Sequence, residues 1–241
     1  MSVAGQFAPL RGLFVTGTDT GVGKTVVSAA LMHRYRAVAS LRYWKPIQTG
    51  IEQDDDTGDV ERLGRCGADE VRKTGIRLPR PVSPHLAARL HGTTIAVAPL
   101  VDSMVRLKPV LSEGSDPTSD ETIRWIVEGA GGVLVPINET EMMADLMSAL
   151  GLPVLVVARA SLGAINHTLL TLEALRRRGL HVAGVVMVGD RNASNRSAIE
   201  RHGDAPVLGE MPHFNPLGAA EIAAWAATEL DPDRCLVEWL Q

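Results

Sequence analysis

Residues 12–25 constrain the fold of this 241-residue chain more than any other segment. They read GLFVTGTDTGVGKT, in which a short apolar strand at 13–15 enters a glycine-rich turn, and a helical pattern at 26–37 follows. A strand, a loop of small residues and a helix in this order direct consecutive main-chain N–H groups, and the positive end of the helix dipole, at one point. The segment therefore predicts an anion-binding loop in an α/β sheet.

The lysine and threonine at the end of this loop make it a candidate nucleotide site. A lysine in the position of Lys24 reaches the β- and γ-phosphate oxygens, and a hydroxyl in the position of Thr25 binds Mg²⁺. The spacing departs from the usual P-loop, because the glycine expected at Thr18 stands one position earlier, at Gly17. The junction of loop and helix is the required one, so the residues expected to bind a nucleotide are Thr20, Gly21, Val22, Gly23, Lys24, Thr25 and Val26.

The rest of the chain alternates between apolar runs and helical patterns. Strands are predicted at 41–44, 123–127, 154–157, 182–188 and 206–208, and helices at 142–150, 165–178, 195–201 and 219–230. Apolar character also extends over 133–135, whereas the polar stretches 52–58 and 112–122 are predicted to be loops. Strands of valine, isoleucine and leucine separated by helices are typical of a parallel sheet covered on both faces. We expect one α/β domain over 1–241, with a P-loop NTPase fold.

Composition narrows the classes of partner. The chain has 24 basic and 28 acidic residues, a formal charge of −4, which argues against a broad basic surface for nucleic acid. No apolar run reaches the roughly 20 residues needed to cross a bilayer, and no leader peptide is evident. Cys66 and Cys235 have no CxxC spacing and are expected to be isolated thiols in a reducing compartment. We therefore expect a cytoplasmic protein that binds neither nucleic acid nor a membrane.

Charged residues at predicted strand ends are candidates for the chemistry. Glu128 ends the strand at 123–127, and ligands of α/β sheets bind beyond the carboxyl ends of the strands, so its carboxylate is placed for a metal ion. Lys45 ends the strand at 41–44 and is either a solvent charge or a second cation for the γ-phosphate. An acidic group follows, in which the residues alone do not distinguish a solvated loop from one metal ligand among Asp54, Asp55, Asp56 and Asp59.

Five short motifs together resemble the dethiobiotin synthetases. They are GTDTGVGKT at 17–25, KPIQTG at 45–50, SPH at 83–85, EGAGG at 128–132 and LGAINHT at 162–168. The resemblance covers residues 13 to about 190. It implies a ligase of biotin biosynthesis, which uses ATP, Mg²⁺ and CO₂ to convert 7,8-diaminopelargonate into dethiobiotin, ADP and phosphate. The implied intermediates are a carbamate and a carbamic-phosphoric anhydride.

The resemblance also implies roles for individual residues. Lys24 and Lys45 would be catalytic, flanking the transferred phosphate, and Thr25, Asp59 and Glu128 would bind Mg²⁺; Asp59 is chosen because it follows the Lys-Pro motif. The further nucleotide contacts implied are Asp59, Glu128, Gly129, Ala130, Gly131, Val188, Gly189, Pro212 and His213. The implied substrate contacts are Thr49, Ser83, Pro84, Gly131, Gly132, Leu162, Gly163, Ala164 and Asn166.

Residues 163–167 open a predicted helix, whose free N–H groups suit the carboxylate tail of the substrate. In the family this segment comes from the partner subunit, so the resemblance implies a homodimer. One departure concerns the base of the nucleotide. Many members read adenine with Asn-Asp after the strand equivalent to 182–187, where this chain has Val188 and Gly189. Main-chain contacts to adenine, or other nucleoside triphosphates, are therefore open alternatives.

Two other classes of P-loop protein are alternatives. A related amidoligase usually carries an additional glutaminase domain with a catalytic cysteine, for which this chain leaves no room. A partition-type switch ATPase of the Min and Par families has a second lysine five residues before the P-loop lysine, where this chain has Asp19. Beyond Phe214 the sequence predicts only a helix and a tail.

Overall fold

The computed structural model describes residues 10–105 and 123–241. Its strands are β1 Gly12–Gly17, β2 Leu41–Trp44, β3 Ile47–Thr49, β4 Val71–Arg72, β5 Ile76–Leu78, β6 Arg124–Gly132, β7 Val154–Arg159, β8 Val182–Val188 and β9 Val207–Met211. Its helices are α1 Lys24–Tyr35, α2 Asp56–Leu63, α3 Pro84–Leu90, α4 Val97–Val105, α5 Met143–Leu150, α6 Ala164–Arg176, α7 Ala193–Gly203, α8 Ala219–Thr228 and α9 Val237–Leu240.

Seven of these strands form one sheet in the order β4-β2-β6-β1-β7-β8-β9, and all of its pairings are parallel. β3 and β5 form a separate parallel pair beside it. β1 lies at the centre, between β6 and β7, so the loop that follows β1 leaves the middle of the sheet at its carboxyl edge. This is the edge at which α/β proteins bind ligands.

The core lies on both faces of the sheet. Successive residues of β1 alternate between the faces, as strand side chains do. Leu13 and Val15 belong to the buried cluster that includes residues of α1 and α8, whereas Phe14 belongs to the cluster that includes residues of α4, α5 and α6. The predicted fold class, a mostly parallel sheet with helices on both faces, is therefore confirmed. Among the described residues no helix has both the length and the apolar character needed to cross a membrane.

Several element boundaries differ from those predicted. β6 does not end at residue 127 but continues to Gly132. Its pairing with β1 shifts in register after Glu128, which lies opposite Val15, and resumes where Gly132 lies opposite Gly17. The loop predicted at 52–58 is wrong over its last three residues, because α2 begins at Asp56. Residues 133 and 134 form a turn, and the strand at 206–208 extends to Met211. The predicted loop at 112–122 lies outside the described residues.

Candidate active site

The loop between β1 and α1 is held in a shape that two glycines permit. Gly21 and Gly23 have φ of 66° and 102°, in the left-handed region that favours glycine. A Cβ on Gly23 would also lie 3.3 Å from both methyl groups of Val188. The Thr18 N–H donates to the Val157 carbonyl at 2.9 Å, which fixes the loop to β7. The N-terminus of α1 thus opens into the loop, where its free N–H groups face an anion site.

Lys24 lies inside this loop. Its Nζ donates to the main-chain oxygen of Asp19 at 2.9 Å, and its side chain is almost fully buried. Burial, followed by the positive charge of Lys45, lowers the pKa of Lys24 to about 8. The ammonium groups of Lys24 and Lys45 are therefore close enough to repel each other. An anion bound between them would offset both this repulsion and the cost of burying their charges.

Lys45 joins two carboxylates beneath the loop. Its Nζ lies 2.6 Å from Glu128 Oε1 and 2.7 Å from Asp56 Oδ2. The Thr25 hydroxyl lies 2.7 Å from Asp56 Oδ1 and 3.1 Å from Glu128 Oε1. Burial opposes the charged lysine, but Glu128 and Asp56 together raise the pKa of Lys45. Burial likewise opposes a charged Asp56, and Lys45 overcomes it, so the pKa of Asp56 is lowered.

The predicted metal ligand Asp59 does not belong to this group, and Asp56 stands in its place. Asp59 is half-exposed and pairs with Arg62, with 2.6 Å between its Oδ1 and the guanidinium. The reason is the start of α2: Asp56 is the first helical residue, so its carboxylate lies at the strand ends, whereas Asp59 is most of a turn further on and meets Arg62 along the helix.

Sequence reasoning also missed two hydroxyl groups that hold Glu128. Tyr43 donates its O–H to Glu128 Oε2 at 2.9 Å, and Ser28 donates to the same oxygen at 3.0 Å. Burial, and then the negative charges of Glu128 and Asp56, raise the pKa of Tyr43, which keeps it a donor. The available signals were weak: Ser28 follows Lys24 by one helical turn, and Tyr43 precedes Lys45 by two residues.

A cleft of about 540 Å³ opens beside the group formed by Lys24, Thr25, Lys45, Asp56 and Glu128. Of the predicted substrate contacts, those that line it are Thr49, Ser83, Pro84 and Gly131, and Ala130 lines it as well. Gly132 instead lies against β1, where a Cβ would come 3.2 Å from the Gly17 carbonyl. A Cβ on Gly129 would come 2.9 Å from the Phe14 ring, so Gly129 faces the core. In the described part of the chain, no residue of 162–168 lines this cleft.

A second cavity, of about 800 Å³, lies on the other side of the loop. The predicted nucleotide contacts that line it are Gly21, Val22, Gly23, Val26, Val188, Gly189, Pro212 and His213. Gly189 has φ of 131°, and a Cβ there would meet Ala160 Cβ at 3.3 Å, so this part of the wall leaves little room for a side chain at position 189. Arg159 lines this cavity and donates a hydrogen bond to the Thr20 carbonyl, in the loop between β1 and α1, at 3.1 Å.

The start of α6 lies at the surface. Gly163 has φ of 89°, no side chain caps the helix, and Asn166 and His167 are exposed. Leu162 before it has the side chain of highest exposure among the large hydrophobic residues described, at 104%. Of the predicted substrate segment, Leu162 lines the 800 Å³ cavity of its own chain, and Ala164 is buried.

Comparisons with known proteins identify close relatives. The family model described as an AAA domain, AAA_26, matches residues 11–221. The ATP-dependent dethiobiotin synthetase BioD of Paramagnetospirillum magneticum is 48% identical over 214 residues, which cover 89% of this chain and 94% of that protein. The protein of the same name from Brucella melitensis is 40% identical, with 87% and 90% covered. The biotin biosynthesis bifunctional protein BioCD of Bordetella avium is 43% identical over 92% of this chain, which spans 44% of that protein.

Solved structures share the fold at low identity. A ParA family ATPase from Chlorobium tepidum superposes with a TM-score of 0.54 at 9% identity, covering 91% of this chain and 98% of that one. A chain of the MinC:MinD cell division complex of Aquifex aeolicus gives 0.51 at 15% identity, covering 91% and 94%. At these identities the likeness concerns the fold alone.

Proposed function

Because the chain belongs to the dethiobiotin synthetase family, we propose that it closes the ureido ring of dethiobiotin from 7,8-diaminopelargonate, CO₂ and ATP. The observation that carries this proposal is the convergence of Lys24, Thr25, Lys45, Asp56 and Glu128 at one edge of the sheet, beside a cleft for the diamine. ATP dependence follows from the family. The residue roles rest on this geometry.

The chemistry needs positioning and charge neutralisation more than covalent help from the protein. One amine of the substrate adds to CO₂ and loses a proton, giving a carbamate. A carbamate oxygen attacks the γ-phosphorus, and the bond to ADP breaks. The second amine then attacks the carbonyl carbon, the ring closes, and phosphate leaves with the carbamate oxygen. Lys24 and Lys45 balance the charge that spreads over the transferred phosphoryl group.

Thr25, Asp56 and Glu128 fit a magnesium ion. All three offer oxygen, the donor that this hard cation prefers, and Mg²⁺ usually takes one or two carboxylates and completes its octahedron with phosphate and water. The described residues include no group of three or more His, Cys, Asp or Glu side chains that could hold a metal ion by themselves. The bound ion would neutralise charge on the phosphates.

The 540 Å³ cleft suits the diamine. Thr49, Ser83 and the main chain at Gly131 offer polar contacts, whereas Pro81, Val82 and Val135 offer an apolar wall for the aliphatic chain. Lys45 lines the same cleft, so an amine of a diamine held there can approach the phosphate side of the site.

A homodimer would complete this site. The carboxylate tail of the substrate suits the free N–H groups at the start of α6, yet residues 162–168 of the same chain do not line the cleft in the described part of the molecule. The exposed face of α6 carries Asn166, Leu170 and Glu173, at spacings of four and three residues. Exposed leucines at 162 and 170 are the kind of surface that a partner subunit covers.

The 800 Å³ cavity is proposed to hold the nucleoside. Gly189 offers only main-chain contacts, and Val188 only an apolar one. Of the nearby amides, Asn192 caps α7 by accepting from the Asn195 N–H, and Asn195 donates to the Ala160 carbonyl. Because neither position 188 nor position 189 supplies a side-chain amide for adenine, selectivity for adenine over other bases is expected to be loose. No observation favours the amidoligase or partition-ATPase alternatives.

The test of this proposal is an omission assay. Purified protein with Mg²⁺ is expected to release ADP only when both the diamine and bicarbonate are present, and mass spectrometry is expected to find the cyclic urea. Turnover that ignores the diamine, without cyclic urea, would refute the assignment. Repeating the assay with other nucleoside triphosphates measures the selectivity for the base.

A further inference from the structure

Tyr43 reaches the site from inside the sheet. It is completely buried on β2, and its register partner on β6 is Ile126. Glu128 lies two residues beyond Ile126, and alternate residues of a strand share a face, so Tyr43 and Glu128 project to the same side of the sheet. The phenol ring fills the core next to α1, and only its hydroxyl touches a group of the site.

The two oxygens of Glu128 have separate partners. Oε2 accepts hydrogen bonds from Tyr43 at 2.9 Å and Ser28 at 3.0 Å. Oε1 faces the charged side, 2.6 Å from Lys45 Nζ and 3.1 Å from Thr25 Oγ1. The terminal torsion of a glutamate is intrinsically broad, so the plane of its carboxylate is fixed by its partners rather than by a rotamer. The two hydroxyls therefore help to hold the carboxylate in the orientation in which one oxygen faces Thr25 and the other points away from it.

We propose that Tyr43 is a positioning residue, which holds Oε2 of Glu128 so that Oε1 alone is presented to the divalent cation that Thr25, Asp56 and Glu128 would bind. The inference rests on the proposed function of this site and adds a residue that does not itself touch substrate or phosphate. Outer hydrogen-bond donors orient metal-binding carboxylates, and their loss commonly weakens metal affinity by roughly 10- to 100-fold.

The chain contains a matched control, because its only other tyrosine is Tyr35. Tyr35 is also buried and also donates its hydroxyl to a carboxylate, that of Asp231, which anchors the N–H groups of Cys235 and Leu236. Tyr43→Phe and Tyr35→Phe each remove one buried hydroxyl that serves a carboxylate. Only Tyr43→Phe touches Glu128.

The test measures binding of a non-hydrolysable ATP analogue by calorimetry, with Mg²⁺ and with EDTA. The ratio of the affinity in Mg²⁺ to the affinity in EDTA measures how much the metal ion contributes to binding of the analogue. Tyr43→Phe is expected to lower this ratio about tenfold and leave the affinity in EDTA unchanged, whereas Tyr35→Phe leaves the ratio at its wild-type value while lowering the melting temperature. Ser28→Ala, which removes the second donor, is expected to lower the ratio in the same way and serves as the deciding variant if Tyr43→Phe does not fold.

A Tyr43→Phe protein with the wild-type ratio would overturn the positioning role, as would an equal loss of affinity in Mg²⁺ and EDTA. An equal drop of the ratio in Tyr35→Phe would also overturn it, because the effect would then be one of general stability. Failure of the metal site looks different: the wild-type protein itself would then gain no affinity from Mg²⁺, and the role of Tyr43 would fall with it. Failure of the proposed function is read separately, from the omission assay, in which turnover would ignore the diamine.

Discussion

Two lysines and two carboxylates lie at the start of α1, and the hydroxyl of Thr25 contacts both carboxylates. Lys24, Lys45, Asp56 and Glu128 carry equal numbers of positive and negative charges, and three of the four are almost fully buried. Buried ion pairs are weak evidence for stability, because the cost of desolvation offsets their attraction. Their concentration at the phosphate loop is therefore better explained by the charge of the ligands than by the energetics of folding.

The acidic group after β2 gives a prediction for single residues. Asp56→Asn is expected to lower kcat about 100-fold and to raise the Mg²⁺ concentration needed for half-maximal rate, because it removes an anionic oxygen beside Thr25 and Lys45. Asp59→Asn, which removes only an exposed pair with Arg62, is expected to stay within about twofold of wild type. Steady-state rates over a magnesium titration compare the two.

The opposite ranking, with Asp59→Asn the more damaged variant, would return the metal to the residue that family resemblance suggests. The contrast also indicates what the sequence could yield. Lys24, Thr25 and Lys45 stand at helix or strand ends that periodicity locates, and Glu128 follows the strand end predicted at residue 127, although β6 itself continues to Gly132. Asp56 depends on the residue at which α2 begins, and Tyr43 on a contact with Glu128 across 85 residues of sequence, so local patterns contain neither.

At the scale of elements, short and glycine-rich segments were hardest to predict. β6 continues past Glu128 to Gly132, which pairs with Gly17 of β1 after a shift in register, and this glycine-rich stretch has no alternating apolar pattern that would predict a strand. β3, β4 and β5 have two or three residues each, too few for a periodic signal. The longer elements, such as β8 and α5, lie where their apolar patterns predict them, within one residue.

The start of α6 gives a prediction for an element. If its N–H groups serve the partner's substrate, Lys45→Gln and Asn166→Asp damage a site from opposite subunits, the latter by placing a charge near the substrate carboxylate. Each variant alone is expected to be nearly inactive. Co-expressed with different tags and purified as mixed dimers, they should recover about half of wild-type activity, because each mixed dimer has one intact site and one doubly damaged site.

Activity is measured on the purified mixed dimers, and size exclusion with light scattering checks that they are dimers. Activity no greater than the sum of the two parents would contradict a site shared between subunits, since defects within one chain cannot complement each other.

At the scale of the whole molecule, the order of strands places the chemistry. β1 lies between β6 and β7, so its loop separates the 540 Å³ cleft on the side of β6 from the 800 Å³ cavity on the side of β7 and β8. Alternating apolar runs and helical patterns predict the parallel sheet and its covered faces. They do not predict the order β4-β2-β6-β1-β7-β8-β9, because neighbours such as β1 and β6 are more than 100 residues apart in sequence.

The central claim is that this arrangement transfers the γ-phosphoryl group of ATP to a carbamate of the diamine. Short reactions started with ¹⁸O-labelled bicarbonate test it, before the label exchanges with water. Transfer to a carbamate oxygen predicts one ¹⁸O atom in each phosphate released and one in the cyclic urea. Phosphate without label, formed while the diamine is consumed, would mean that water receives the phosphoryl group and would contradict the account.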